Sequence, residues 1–341
     1  MNDPLVLLGE VCTGLLPAAS ALSYVEAAEL LTLLPGESAE THWRPISLVI
    51  SPDTLAGVDC QLATMSGSAS RVVGTVAARG TLVGGRVAQG SARVRVFRAA
   101  DGRRKPWRHY LNHPGTVELL NKVKDDGRSV PDIADGFLTA STADTLALGP
   151  IADRLLTRLR IDPRWSGWSP IRAPSTRLRW AARVAAPESG PTLTFGLADE
   201  TLRLVRVTVP TVADLTAVQR FCEDLAAHDW LLTTLASALD AAEVAESPDR
   251  VITLLAPVLE RLGHLWMPDA HTPPPLRELW RGLDAEAGFS RQWEARLEQL
   301  RNRLFVSGIE RAAAIPRELD TIARCAADEH KRKSWRFPRF S

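Results

Sequence analysis

What the chain lacks narrows its chemistry first. Four cysteines in 341 residues, Cys12, Cys60, Cys222 and Cys325, stand far apart, with no CxxC pair among them. That spacing excludes a cysteine-built zinc motif, and a chain long enough to bury a sizeable core does not depend on disulfide staples. They read as reduced thiols, most of them small buried apolar residues. No glycine between 74 and 90 is followed by lysine, and no GxGxxG occurs there. The backbone cradles that hold phosphate in nucleotide sites are therefore missing, and these glycines read as turns, bulges or close strand approaches. A nucleophile elbow is absent as well.

Long apolar runs are also missing. The most apolar early stretch, 15–34, is broken by Pro17, Ser20, Ser23, Glu26 and Glu29 and stopped by Pro35. A bilayer-spanning helix needs about 20 nearly uninterrupted apolar residues, so no membrane partner is expected. Met1-Asn2-Asp3-Pro4 has neither the positive region nor the small-residue cleavage site of a secretory signal, which leads to the expectation of a cytoplasmic location. Net charge is near zero, with 41 basic against 40 acidic side chains, so overall charge names no partner.

What is present is an uneven distribution of residue types. Residues 42–98 are rich in glycine and β-branched side chains, while 211–329 carry apolar residues at helical spacing. This predicts an α+β fold: a mixed or antiparallel N-terminal sheet region with a few helices (1–209), a helical region (210–330) and a basic aromatic tail (331–341). Leu5-Val6-Leu7-Leu8 suits a buried strand, and Ser23 with Glu26 three residues on forms a capping box for a helix ending at Pro35-Gly36. Strands are predicted at 46–50, across 71–98, and at 176–184, 192–197 and 201–209, the last two as a hairpin. Alternation over 92–98 puts Arg93, Arg95 and Phe97 on one face and Ala92, Val94, Val96 and Arg98 on the other. Pro114-Gly115 opens a short predicted helix through Val117, Leu119, Leu120 and Val123, and another helix covers 150–159. After Pro210 a seam of Leu215, Val218, Cys222, Leu225, Leu232, Leu235 and Leu239 is interrupted at His228 and Asp229. Further helices are predicted over 248–265, 274–283, 291–304 and 308–327.

Candidate chemistry is sparse. His109 and His113, four apart with Glu118 nearby, would share a helix face as metal ligands do, but Pro114 and the lack of a third ligand at a diagnostic interval argue against it. No metal or cofactor is expected. Cys60 with His109 or His113 is the early pairing of nucleophile and base worth naming, and the basis of a third alternative, an unrecognised hydrolase. Adjacent carboxylates Glu223 and Asp224 read as helix surface. No residue is assigned a catalytic role.

Charge geography says more. Arg93, Arg95, Arg98, Arg103, Arg104, Lys105 and Arg108 are opposed only by Asp101, with Trp107 set among them. A second basic region includes Arg177 and Arg179, near Trp165, Trp168 and Trp180. The tail carries Trp335, Arg336 and Phe337 and no acidic side chain. Arginine interleaved with aromatics suits phosphate contact and base stacking, so nucleic-acid binding is one alternative; alternating arginines that merely solvate a sheet face are the plainer explanation. The tail reads as a solvated end or a docking peptide, and Asp214, Glu223, Asp224, Asp229, Asp240, Glu243, Glu246 and Asp249 as a complementary acidic surface, which leaves self-association open.

Four segments carry a resemblance: LGEVCTGLL at 8–16, GVDC at 57–60, GGRVAQGSA at 84–92 and HDWLLTTL at 228–235. Over residues 5 to 240 the chain resembles a family of actinobacterial proteins without an assigned activity. Its members are encoded beside a variant P-loop protein and a methyltransferase-like protein. The resemblance implies a multi-protein system. Together with the missing catalytic motifs, it leads to the expectation of an accessory protein-interaction component, more a binder than an enzyme.

Overall fold

A computed structural model of the chain describes residues 3–67, 69–100, 102–120, 129–139, 144–165, 169–185 and 190–334. The first half runs β1 (Val6–Leu15), α1 (Tyr24–Leu31), β2 (Glu40–His42), β3 (Leu48–Ile50), β4 (Thr54–Ala63), β5 (Ala69–Val83), β6 (Val87–Arg98), α2 (Trp107–Leu111) and β7 (Thr116–Leu119). It continues with α3 (Ser129–Thr139), α4 (Gly149–Arg160), β8 (Thr176–Val184), β9 (Thr192–Leu197) and β10 (Leu202–Val209). The helices α5 (Val212–Glu243), α6 (Pro248–Leu262), α7 (Arg277–Glu286) and α8 (Phe289–Ser334) follow, so the fold is α+β.

All ten strands join one mixed sheet, in the order β2-β3-β5-β7-β6-β1-β8-β10-β9, with β4 alongside β5. At its centre β1 pairs antiparallel with β6 and with β8, and every one of its ten residues is buried. A strand covered on both faces needs no polar alternation, which is why VLLGEVCTGL reads as an apolar run. β5 and β6 form a hairpin whose turn uses Gly84 and Gly85 at φ 59° and 63°, a left-handed conformation that glycine adopts without a Cβ penalty. Beyond Ala77 and Arg93 the two strands separate, and β7 enters between them, antiparallel to β5 and parallel to β6. Gly74 permits that entry, because a Cβ there would lie 2.1 Å from the Thr116 carbonyl oxygen.

β7 replaces the short helix predicted from Pro114. Val117 and Leu119 alternate into the core at 0% exposure, a period of two that the pattern through Leu120 and Val123 obscured; Val123 itself lies outside the described residues. α3 was not anticipated. The two helices predicted at 291–304 and 308–327 are one, α8, which runs through Gly308 and Pro316. The capping box at Ser23 forms as expected: the Glu26 N–H donates to the Ser23 hydroxyl, and the Ser23 N–H donates to the Glu26 carboxylate.

Each face of the sheet is covered by helices. Leu7, Val11, Leu178, Trp180, Val205 and Val207 pack with Phe221, Leu225 and Trp230 of α5 and with the helices after it. Val6, Leu8, Val76, Val94 and Val96 pack with Leu30 and Leu31 of α1, Ile133 and Phe137 of α3, and Leu156 and Leu159 of α4. Trp180, Phe221 and Trp230 are fully buried, and burial of such rings contributes roughly 3 kcal/mol each. The Trp230 indole N–H also donates to the Pro174 carbonyl, 2.7 Å away, which ties the proline-rich connector to the core.

Candidate interaction surfaces

Strand register sorts the predicted basic residues. Arg93 and Arg95 stand opposite Gly9 and Leu7, whereas Arg177 and Arg179 stand opposite Cys12 and Glu10 on the same central strand. Successive residues of a strand point to opposite faces, so the two arginine pairs lie on opposite sides of the sheet. They do not converge on one concave surface. Arg93 pairs with Asp53 at 2.7 Å, and Arg95 donates to the Pro114 carbonyl at 3.0 Å. On the far side Glu10 is wholly buried; the Arg179 Nε lies 3.1 Å from its carboxylate and the Arg177 guanidinium 3.9 Å away. Arg179 also lies over the Phe137 ring, so it acts as counter-ion to a core carboxylate.

The remaining residues of the first region fold over the end of β6. Arg104 lies 5.6 Å over the Trp107 ring and 3.3 Å from Asp59, while Arg103 and Arg108 are exposed. Lys105 and the His109 Nε2 reach the same Glu118 oxygen at 2.9 and 3.0 Å. Burial works against the Glu118 charge, but hydrogen bonds from Lys105 and His109 outweigh it and hold the carboxyl below its usual range. These groups edge a cavity of about 230 Å³ with Phe97, Arg98 and Tyr110. The His113 Nδ1–H donates to the His109 carbonyl at 2.7 Å, a local tie rather than a ligand arrangement. Among the described residues, no group of three or more His, Cys, Asp or Glu is placed to hold a metal.

Cys60 and these histidines are separated by the sheet. Trp107 covers β4 at Gly57, where a Cβ would sit 3.3 Å from its ring, and Cys60, three residues along the strand, joins the core on the opposite face. Burial, then Asp59, push the Cys60 thiol up to about 11. The nucleophile and base considered from the sequence are thus not brought together.

α5 corrects the reading of Glu223, Asp224 and Asp229 as acidic surface, since all three are buried. Arg79 of β5 donates to both Glu223 oxygens, at 2.9 and 2.6 Å, and Gln219 donates to one of them at 3.0 Å. Burial opposes the Glu223 charge, yet Arg79 keeps its carboxyl below the usual range. Asp224 accepts from Thr272 at 2.7 Å, and burial pushes its carboxyl up. The His228 Nδ1–H donates to the Asp224 carbonyl while its Nε2 accepts the Met267 N–H, so both ring nitrogens are used inside the core. Asp229 is held by Arg203 at 2.6 Å. The missed signal was that apolar residues surround these positions on every side of the helix: Phe221, Cys222, Leu225, Ala226, Ala227, Trp230 and Leu231.

α8 presents the opposite situation. Its first turns pack firmly: Trp293 stacks on Trp266 at 4.6 Å, and Leu300 is fully buried. Arg311 then pairs with Asp249 at the start of α6, 2.9 Å away. Residues 312–334 carry the helix on for about 34 Å at 1.5 Å per residue. Phe305, Ile309 and Ile322 are 70%, 55% and 64% exposed, and Val306 is exposed beside them. The site residues Trp335, Arg336 and Phe337 lie outside the described residues.

No family model, curated protein or solved structure matches the chain.

Among the described residues, the Arg103, Arg104, Trp107 and Arg108 patch and the outer part of α8 both offer surface to a partner. The first is small and in part ion-paired. The second is long and leaves Phe305, Val306, Ile309 and Ile322 exposed, the character of a surface that docks another protein. Among the described residues no helix is long and apolar enough to cross a membrane.

Proposed function

We propose that this chain is a non-catalytic interaction component of a multi-protein system and that it docks its partner through the outer part of α8. What supports this is the exposure of Phe305, Ile309 and Ile322 on a helix whose inner turns are anchored in the core. Scattered surface leucines need no explanation, but Phe305, Val306 and Ile309, exposed within two turns of a helix that carries on past its own support, do. The resemblance to the actinobacterial family makes a variant P-loop protein and a methyltransferase-like protein the first two candidates.

The test is co-purification of each candidate with the full chain and with a chain ending at Arg311. A stoichiometric complex that is lost on truncation is the expected result. A complex that survives truncation moves the interface elsewhere, and the absence of any complex counts against both candidates. The nucleic-acid alternative keeps the Arg103, Arg104, Trp107 and Arg108 patch as its support. It predicts single-stranded oligonucleotide binding that weakens steeply with salt and is lost in Arg104→Ala/Trp107→Ala.

A further inference from the structure

The outer part of α8 carries a pattern that specifies its occupant more closely. In the sequence Phe305, Gly308, Ala312, Ile315, Leu319, Ile322 and Ala326 recur at alternating intervals of three and four. Apolar or small residues at that spacing over about three heptads are the mark of a coiled-coil seam. The seam begins where the packed part of the helix ends, and its described members are exposed. An amphipathic helix of this kind gains most of its stability from a partner along its apolar face.

Charge selects the orientation of that partner. Lys331, Arg332, Lys333, Arg336 and Arg339 fall in the last eleven residues with no acidic side chain. Two such helices side by side in parallel would set five positive charges against five. Antiparallel, the same residues lie beside the inner end of the opposite helix. There a groove of about 570 Å³ opens between α5 and α8, lined by Leu239, Ala295 and Val306 together with Glu243, Glu298 and Arg303. Its apolar part suits Trp335, Phe337 and Phe340, and two carboxylates against one guanidinium leave it a net acidic lining for a tail that carries arginines.

Reach excludes the chain's own tail from that groove. From Val306 to Ser334 the helix runs about 42 Å outward at 1.5 Å per residue, while the seven residues after it span at most about 25 Å fully extended. The tail of an antiparallel second copy arrives there directly. We propose that this chain forms a two-fold dimer in which the outer α8 segments pair antiparallel and each tail seats in the α5–α8 groove of the other copy. The proposal rests on the reading of outer α8 as a docking surface and seats a second copy there in place of the two candidate proteins.

Sedimentation of the full chain across a concentration series tests it. The expected species has twice the 37.2 kDa chain mass. Ile322→Glu is expected to give the monomer with an unchanged circular-dichroism spectrum, and truncation after Ser334 to weaken the dimer at least tenfold. Spin labels on Ser341→Cys, with Cys325→Ala, are expected to show no short distance between the two termini; a short one means parallel pairing and overturns the proposal. So does a dimer indifferent to both changes, or a monomer at every concentration. A monomer that still binds one candidate protein through α8 sinks the dimer and leaves the interaction reading standing. A monomer whose partner binding ignores truncation sinks both.

Discussion

α5 and α8 are the two long helices of this molecule, 32 and 46 residues, and they treat charge and apolar surface in opposite ways. α5 takes three carboxylates into the core and gives each one a partner: Arg79 for Glu223, Thr272 for Asp224 and Arg203 for Asp229. α8 carries Phe305, Ile309 and Ile322 to the surface and leaves them uncovered. A buried ion pair adds little net stability but is costly to break, so it fixes where a helix docks more than how strongly. Uncovered apolar surface does the reverse, because it adds nothing until something covers it. One helix closes the fold, and the other is left for a partner.

The harshest way to break the comparison is to remove one member of the Glu223–Arg79 pair. Glu223→Ala leaves a buried guanidinium uncompensated and is expected to cost about 3–5 kcal/mol, read as a lower urea midpoint. Replacing both partners, as Arg79→Met/Glu223→Leu, should recover most of that loss. A single-variant cost below about 1 kcal/mol would mean that apolar contacts alone hold α5.

Asp229 sharpens the comparison through pH. Burial pushes its carboxyl up to about 6, against the pull of Arg203. The folded state therefore holds a proton that the unfolded state has released between about pH 4 and 6, and the group's contribution to stability falls as pH rises through that window, by up to about 3 kcal/mol. Asp229→Asn should flatten this slope in urea midpoints taken at pH 4, 5, 6 and 7. An unchanged slope would assign the titration to another group.

Glu118, in neither helix and partly open to a cavity, gives a smaller effect of opposite sign. Its carboxyl is held below the usual range, so its contribution is present above about pH 4.3 and is lost as pH falls through the lowered value. Glu118→Gln should remove that acid-side loss, by less than about 1 kcal/mol given the partial solvation. The two windows meet only near pH 4 and carry slopes of opposite sign, so a series extended down to about pH 2 resolves both.

How much of this was legible depends on what each pattern encodes. The capping box at Ser23, the 92–98 alternation and the 192–209 hairpin are local, and each is found as read. β7 was not, because its strand character comes from the gap between β5 and β6, whose pairing residues lie 21 to 47 positions away in sequence. Arg93 and Arg179 look alike in a list of basic residues, and only register with β1 puts them on opposite faces. Glu223 and Asp224 misled because adjacent charges on a helix are ordinarily solvated. Their partners, Arg79 and Thr272, lie 144 and 48 residues away. Local spacing was readable where the pattern was unbroken, and long-range pairing was not.

The smallest effect is the most discriminating for α8. Ile322→Ala removes a large apolar side chain, a change that costs 2–5 kcal/mol in a packed core and within about 0.5 kcal/mol where the side chain touches nothing. At 64% exposure, eleven residues past the Arg311–Asp249 contact, Ile322 belongs to the second case. The tryptophans at 180, 230, 266, 280 and 293 all lie in the packed body, so in a Trp335→Phe background fluorescence-detected unfolding follows the body. The variant should unfold with the parent chain while the association of α8 weakens. A loss of 2 kcal/mol or more from the body would mean that the outer helix folds back onto it, and the contrast with α5 would collapse, because both helices would then be structural.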